Sequence, residues 1–486
     1  MARHVIVILS AAMIVLGGCV YRDECFEGAT RVDGVCRFTG PSMDGGGDGG
    51  TVDGQAGDAP RTDGAPADGG SRMNCGGEIV DTAIDPDNCG SCGTACGWDA
   101  CVAGDCAVPE ELAVLGGSTC ALLDSGDVWC WGGNLQGQLG SSLVALDATT
   151  AVPVRAEGLS GIHHIWGSTA HMCAIDMTGG VTCWGMNAAG QAGTGSMMSP
   201  VRIPAEATAA PSSPQDVGVG SWSTCFIDNV FNPVCLGNNE YGQLGSSTSF
   251  GSGTPVLTAE RVVRMGGVSL DGMRWVDVGD HHACAISLTG GELLCWGDNS
   301  QGQLGVSDAG VGSFPFALPV LPAGVAQVSL GESHSCARMT DGRVRCWGAN
   351  VYGQVGMGTV SMREPVPIEV PAFMAAGMET SDVAAGRSHS CALLATGAVF
   401  CWGANNGGQL GTGDTADSLV PVQVETESAA PLDQVRVLET GQGSHNCVIR
   451  MDGSIWCWGD NSYAQLGVTG MDSATTPVQV LPPRGR

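Results

Sequence analysis

The chain has 486 residues, with 49 acidic side chains against 20 basic ones and a net charge of −29. Such a balance opposes binding to phosphate backbones and anionic lipid, which sets nucleic acid aside as a partner. Every basic residue is arginine, because the sequence contains no lysine.

Residues 1–18 begin with a basic Arg3 and continue in an apolar run from Val5 to Leu16. The run is too short to span a bilayer as a helix and reads as an export signal. It ends Leu16-Gly17-Gly18-Cys19, which resembles the processing box of bacterial lipoproteins. The resemblance implies cleavage before Cys19 and lipidation of that residue. Val20 rather than Asp follows it, so the expected place is the bacterial outer membrane, with the lipid anchor as the sole membrane contact. A short segment, 19–39, leads into residues 40–73, rich in Gly, Asp, Ala and Pro. That tract lacks the apolar surface to fold and is predicted to be a tether of roughly 30 Å root-mean-square span.

Cysteines dominate the rest. Of 23, removing Cys19 leaves 22, an even number that suits disulfides outside the cytosol. Residues 74–107 hold six of them, Cys75, Cys89, Cys92, Cys96, Cys101 and Cys106, and are predicted to form a three-bridge module of open connectivity. The Cys89-x-x-Cys92 spacing also occurs in zinc knuckles, but small residues and an exported context favour disulfides.

Residues 108–486 repeat one pattern seven times. The first cysteines, Cys120, Cys173, Cys225, Cys284, Cys336, Cys391 and Cys447, recur at steps of 53, 52, 59, 52, 55 and 56 residues, a period suited to propeller blades. Their partners ten or eleven residues on are Cys130, Cys183, Cys235, Cys295, Cys346, Cys401 and Cys457. Between them, Gly126, Gly179, Gly291, Gly342, Gly397 and Gly453 mark tight hairpin turns. Such hairpins place the two cysteines opposite one another, within disulfide reach, so one bridge per hairpin is predicted. Two thiolates from a flat hairpin are half a zinc site, so no metal or other cofactor is expected.

Strings such as His389-x-Cys391-Ala392-Leu393, Cys401-Trp402-Gly403-Ala404-Asn405 and Gly408-Gln409-Leu410-Gly411 resemble the regulator of chromosome condensation repeat family. The resemblance implies an all-β, seven-bladed propeller of four-stranded blades. The first copy lacks a Pro-Val-x-Val run before Glu110, while Pro477-Val478-Gln479-Val480 follows the last, so the C-terminal strand is expected to complete the first blade. The recurring Trp, and the His two residues before each first Cys, are expected to be structural, the His bonding to backbone. The recurring Asn suits left-handed turns with local hydrogen bonds.

Function is then sought where the repeat breaks. The third copy has Leu236 for Trp and Ser223 for His, and it carries Phe231 at its hairpin turn, expected to be exposed. An insertion from Ser246 to Arg274 adds Phe250, Arg261, Arg264 and Arg274, and these five residues form a candidate partner-binding surface. The adjacent pairs His163-His164 and His281-His282 are expected to point to opposite faces. No catalytic constellation is visible. The expected function is a monomeric, non-enzymatic module that binds a protein or glycan through one propeller face. The alternatives are an axial hydrolase or lyase site and a purely architectural envelope lipoprotein. Nucleotide exchange, known for the family's namesake, depends on face loops with no match here and is not carried over.

Overall fold

The computed structural model describes residues 29–32, 35–38, 72–75, 78–89, 91–92, 95–98, 101–102, 104–307, 310, 312–374 and 378–483. The export signal, Cys19, Cys25 and the tract 40–71 lie outside the described residues. The chain divides into two units, 1–63 and 64–486. In the first, Ala29–Val32 pairs with Val35–Phe38 as a hairpin. The second contains seven four-stranded antiparallel sheets, each made from one continuous stretch: 109–155, 162–206, 216–261, 273–321, 325–369, 380–423 and 435–480, blades one to seven.

Strand order in each blade follows the sequence from inner to outer edge. In blade six, Thr380–Ala385 is innermost, His389–Leu394 and Val399–Gly403 form the cysteine hairpin, and Ser418–Gln423 is outermost. The paired cysteines stand opposite one another in register, as at Cys391 and Cys401, and all seven predicted bridges are formed with Cα separations of 4.0 to 4.1 Å. The hairpin glycines have the positive φ that their turns require, +86° at Gly397, for instance. The glycine of each Trp-Gly signature meets a different demand. At Gly403 φ is +104°, and a Cβ there would lie 2.8 Å from the Ser388 carbonyl, so any side chain would push the third strand off the second.

This strand order corrects the expected closure. The Pro-Val-x-Val run is the outer strand of the blade that precedes it: Thr149–Arg155 pairs with Val128–Gly133 in blade one, and Ser473–Val480 pairs with Ile455–Asp460 in blade seven. No strand is shared across the ring. The expectation placed the repeat boundary one strand too early, before the Pro-Val-x-Val run rather than after it.

Side chains close the ring instead. Each signature Trp is fully buried, and its Nε1–H donates to the carbonyl of the Gly-Gln-Leu-Gly glutamine of the preceding blade, as from Trp347 to Gln303 at 2.8 Å and from Trp402 to Gln354 at 2.8 Å. At the junction of blades seven and one, Trp131 Nε1 and Thr119 Oγ1 both donate to the Gln465 carbonyl, at 2.9 and 3.0 Å. Each seam, including this one, has its own apolar cluster. The recurring Asn are buried, and none has positive φ among the described residues. They tie down the loop that follows, Asn405 Oδ1 accepting from Leu410 N at 2.8 Å, so local bonding rather than left-handed geometry explains them.

The Cys-rich module packs on the seam between blades seven and one. Bridges Cys89–Cys101 and Cys96–Cys106 frame it, and Cys92 is also disulfide-bonded. Trp98 joins the cluster of that seam and meets Trp129 edge to face at 6.3 Å. Among the described residues, Cys89, Cys96 and Cys101 are the one group of three metal-ligand side chains within 4.8 Å of one another, and their sulfurs are already committed to these bridges.

Candidate functional site

Two faces follow from the strand order. Loops joining first to second and third to fourth strands emerge on one side, here the signature face. Loops joining second to third strands, and one blade to the next, emerge on the other, the hairpin face.

The structure divides the predicted blade-three residues between these faces. Phe231 occupies the turn position that is glycine elsewhere, with φ +66°. It is half-buried against the seam of blades three and four, and its carbonyl accepts from Met273 N at 2.8 Å, so it is a packing wedge rather than an exposed tip. Arg261 faces Asp228 and Asp271 at 4.0 and 3.7 Å, and Arg264 faces Glu292 at 3.5 Å, all on the hairpin face. Arg274 is half-buried and donates to the Val325 and Ala326 carbonyls of blade five at 3.1 and 3.0 Å. Phe250, 40% exposed, sits on the signature face at the other end of the blade. The five residues therefore do not form one surface.

The histidines are neutral connectors. The Nε2 atoms of His171, His282, His334, His389 and His445 lie 2.7 to 2.9 Å from Thr224, Ser335, Ser390, Asn446 and Thr119 of the next blade. The bond thus goes to a neighbouring side chain and not to backbone. Four of those partners are hydroxyls that donate to the glutamine carbonyl, and Asn446 does so with Nδ2. Each partner oxygen must therefore accept from His, which fixes the Nε2–H tautomer and leaves Nδ1 as a bare lone pair. Burial lowers these pKa values to about 3 for His171, His282, His334 and His445, and to about 4 for His389. Where His is replaced, the hydroxyls of Ser118 and Ser223 are buried without a hydrogen-bond partner.

Around the axis, the inner strands present polar side chains that sequence reasoning missed. An inner strand has an unpaired edge, and side chains of the preceding blade cap it. Asp216 accepts from Val276 N at 2.7 Å, Asp277 from Leu330 N at 2.8 Å, and Glu111 from Ile165 N at 3.2 Å. Burial pushes Asp216 up to about 7 and Asp277 up to about 6. Glu439 is pushed well above the carboxylate range by burial, with the charges of Asp382, Asp277 and Glu111 adding to it. His164 Nδ1 lies 2.6 Å from Glu111, whose hydrogen bond and charge outweigh burial and raise the imidazole pKa. A bulge between Ile162 and His164 brings the His163 and His164 rings to 4.7 Å, against the expected opposition of neighbours. The second pair does separate: His282 is fully buried, while His281 stacks on Tyr241 at 4.4 Å. The missed signal was an offset. Counting nine residues back from the first Cys gives Glu111, His164, Asp216, Gln327 and Asp382.

The signature face carries the exposed aromatics. Tyr241, Tyr352 and Tyr463 occupy one repeat position in blades three, five and seven, 37%, 45% and 41% exposed, and Trp222 lies on the same face at 37%. The three tyrosines share one backbone geometry, because each Tyr N–H is held by the glutamine two residues on, as at Tyr352 with Gln354 Oε1 at 3.0 Å. At the centre, Gln442 of blade seven reaches across the axis, accepting from Ser221 Oγ at 2.8 Å and donating to the Val278 carbonyl at 3.0 Å.

Seven closed blades, one seam network and side-chain variety concentrated on the loop faces define a β-propeller of the repeat type. The chain belongs to the RCC1-like domain family, whose model matches residues 101–443, and the regulator of chromosome condensation (RCC1) repeat matches residues 452–486. It is 28% identical over 349 residues to the ultraviolet-B receptor UVR8 of Arabidopsis thaliana, covering 69% of this chain and 72% of that protein. It is 34% identical over 203 residues to the probable E3 ubiquitin-protein ligase HERC6 of Homo sapiens, covering 41% of this chain but only 19% of the ligase. Solved structures agree in fold. Human WBSCR16 gives a TM-score of 0.63 at 23% identity, covering 74% of this chain and 95% of that one. Yeast RCC1 (Prp20) bound to Kap60 gives 0.58 at 22%, covering 69% and 78%.

Proposed function

We propose that this protein is a non-enzymatic recognition module that binds a protein partner through the signature face, held at the outer membrane by lipid on Cys19. The observation that carries the reading is the set of exposed aromatics, Trp222, Tyr241, Tyr352 and Tyr463, on that one face, the three tyrosines on backbone pinned by glutamine. Such side chains supply large contact area at little conformational entropy. The yeast relative bound to Kap60 is a propeller of the same fold with a protein partner, which supports the class of ligand. The matched part of HERC6 is a small share of that ligase, so ligase activity does not come with it.

An axial enzyme is the second reading, favoured by the acids around the axis. Asp216, Asp277 and Glu111 each cap a backbone amide of the next inner strand, a structural task that occupies the oxygens a reaction would need.

Cross-linking separates the readings. A photoreactive residue at Tyr352 is expected to capture a discrete protein in envelope and secreted extracts, while the same residue at Met451, exposed on the hairpin face, captures none. Capture from Met451 alone, or from neither, overturns the face assignment. Mass spectrometry of the N-terminal peptide tests the anchor: diacylated Cys19 is expected, and a free thiol or an uncleaved signal refutes it.

A further inference from the structure

We infer that the signature face takes a protein segment bearing several arginines, an inference that rests on the recognition reading above and specifies its ligand. Three observations meet on that face. The first is the set of aromatic planes just described, one tyrosine on every second blade from three to seven. The second is that carboxylates sit beside them. Glu240, exposed, directly precedes Tyr241. Asp280 lies 3.3 Å from the His281 ring that stacks on Tyr241, and Asp460 holds Ser462 and Gln465 on either side of Tyr463. The third is that cations are scarce on the inner loops of this face, those between first and second strands, while Arg202 and Arg363 stand at its rim on the outer strands Val201–Glu206 and Arg363–Glu369, Arg363 donating to the Ser300 carbonyl at 3.1 Å. Arg387 is the described arginine on the loops between first and second strands, and its charge is matched by Glu332 at 2.9 Å. Inside that rim the face is aromatic and negative together.

A guanidinium fits that combination better than other groups. Its flat surface stacks on Tyr and Trp while its edge donates to a carboxylate, whereas an ammonium is a compact, strongly hydrated charge. A neutral glycan also stacks on aromatics, but it leaves the negative field uncompensated. An acidic surface is repelled.

Calorimetry on the full disulfide-bonded chain tests this with a peptide of three Gly-Ser-Arg repeats, against Gly-Ser-Lys and Gly-Ser-Glu versions and a neutral chito-oligosaccharide. The arginine peptide is expected to bind, to weaken with added salt, and to exceed the lysine peptide several-fold, with no binding of the glutamate peptide. Tyr352→Ala and Trp222→Ala are each expected to weaken it roughly five- to thirty-fold, and Tyr352→Phe, which keeps the ring, to leave it near the parent value. Equal affinity for arginine and lysine peptides, unchanged by Tyr352→Ala, means diffuse attraction to an acidic protein and overturns the inference. Binding of the oligosaccharide instead, lost in Tyr352→Ala, overturns it in favour of a glycan. If the Tyr352 cross-linker captures a partner while the arginine peptide does not bind, the recognition reading stands and the arginine assignment falls.

Discussion

Trp131 and Gln465, 334 residues apart, meet in a hydrogen bond of 2.9 Å that joins the first blade to the last. The same bond repeats between successive blades, except between two and three, where the Leu236 side chain has no N–H to give and the Thr224 hydroxyl donates to the Gln191 carbonyl, at 2.7 Å. The ring is thus closed by the device that spaces its blades.

Trp131→Phe keeps most of the ring volume and removes the donor. The Gln465 carbonyl still accepts from Thr119, so the expected loss is about 1 kcal/mol. Trp131→Ala also leaves a cavity and should cost about 3 to 5 kcal/mol. Urea unfolding of the oxidised chain measures both, and a Trp131→Phe variant as stable as the parent would show that the bond contributes nothing.

Trp98 seals the same seam from outside. It is 8% exposed and touches the rim of the cluster, so Trp98→Ala should cost about 2 to 3 kcal/mol, below the fully buried case. Hydrogen exchange is expected to rise first in Pro109–Val114 and Ile455–Asp460, the strands next to it, and uniform exchange across all blades would refute the clasp.

The connector histidines make the propeller acid-sensitive. Their folded pKa values lie below the unfolded value of about 6.5, so the unfolded chain binds more protons and stability falls as pH drops from about 6.5 toward 3. At pH 4.5 each contributes a loss on the order of 2 kcal/mol. Exchanging His334 and Ser390 for Ser and Ala, the combination found at Ser223 and Ala283, should lessen the pH dependence of the urea midpoint between pH 7 and 4.5. An unchanged slope would mean that His334 titrates normally in the folded state.

Asp216 acts with the opposite sign. Its folded pKa of about 7 exceeds the unfolded value, so its contribution is present below about pH 4 and is lost as pH rises through 7. Asp216→Asn keeps an oxygen for Val276 N without the buried charge. The variant should gain stability over the parent at pH 8 and lose that advantage at pH 5, as read from thermal midpoints at the two values.

The cysteine hairpins were legible because a covalent constraint and a tight turn are both local, as Cys391, Gly397 and Cys401 illustrate. Closure was not, because Pro477-Val478 reads the same whether it pairs forward or back, and only the position of Thr149–Arg155 decides it. The seam was half legible. His171, His282, His334, His389 and His445 each precede a blade with Thr, Ser or Asn before its first Cys, while Ser118 and Ser223 precede blades with Met172 and Ala283 there. That covariation links blades, yet reading each repeat alone hides it. The blade-three surface failed for a physical reason: arginines in a chain this acidic find carboxylates or carbonyls nearby, and Phe231 had a seam to fill.

Blades made from unbroken stretches of chain have a consequence for biogenesis. Every strand finds its sheet partner, and every blade cysteine its mate, within the same short span. On a polypeptide emerging from its N-terminus, each sheet has all four strands and both cysteines available before the next arrives, without a wait for the last residues. Low contact order of this kind favours fast, stepwise assembly and leaves few mispaired thiols to reshuffle. A ring sharing one strand between its ends would instead keep its first sheet unfinished until synthesis was over.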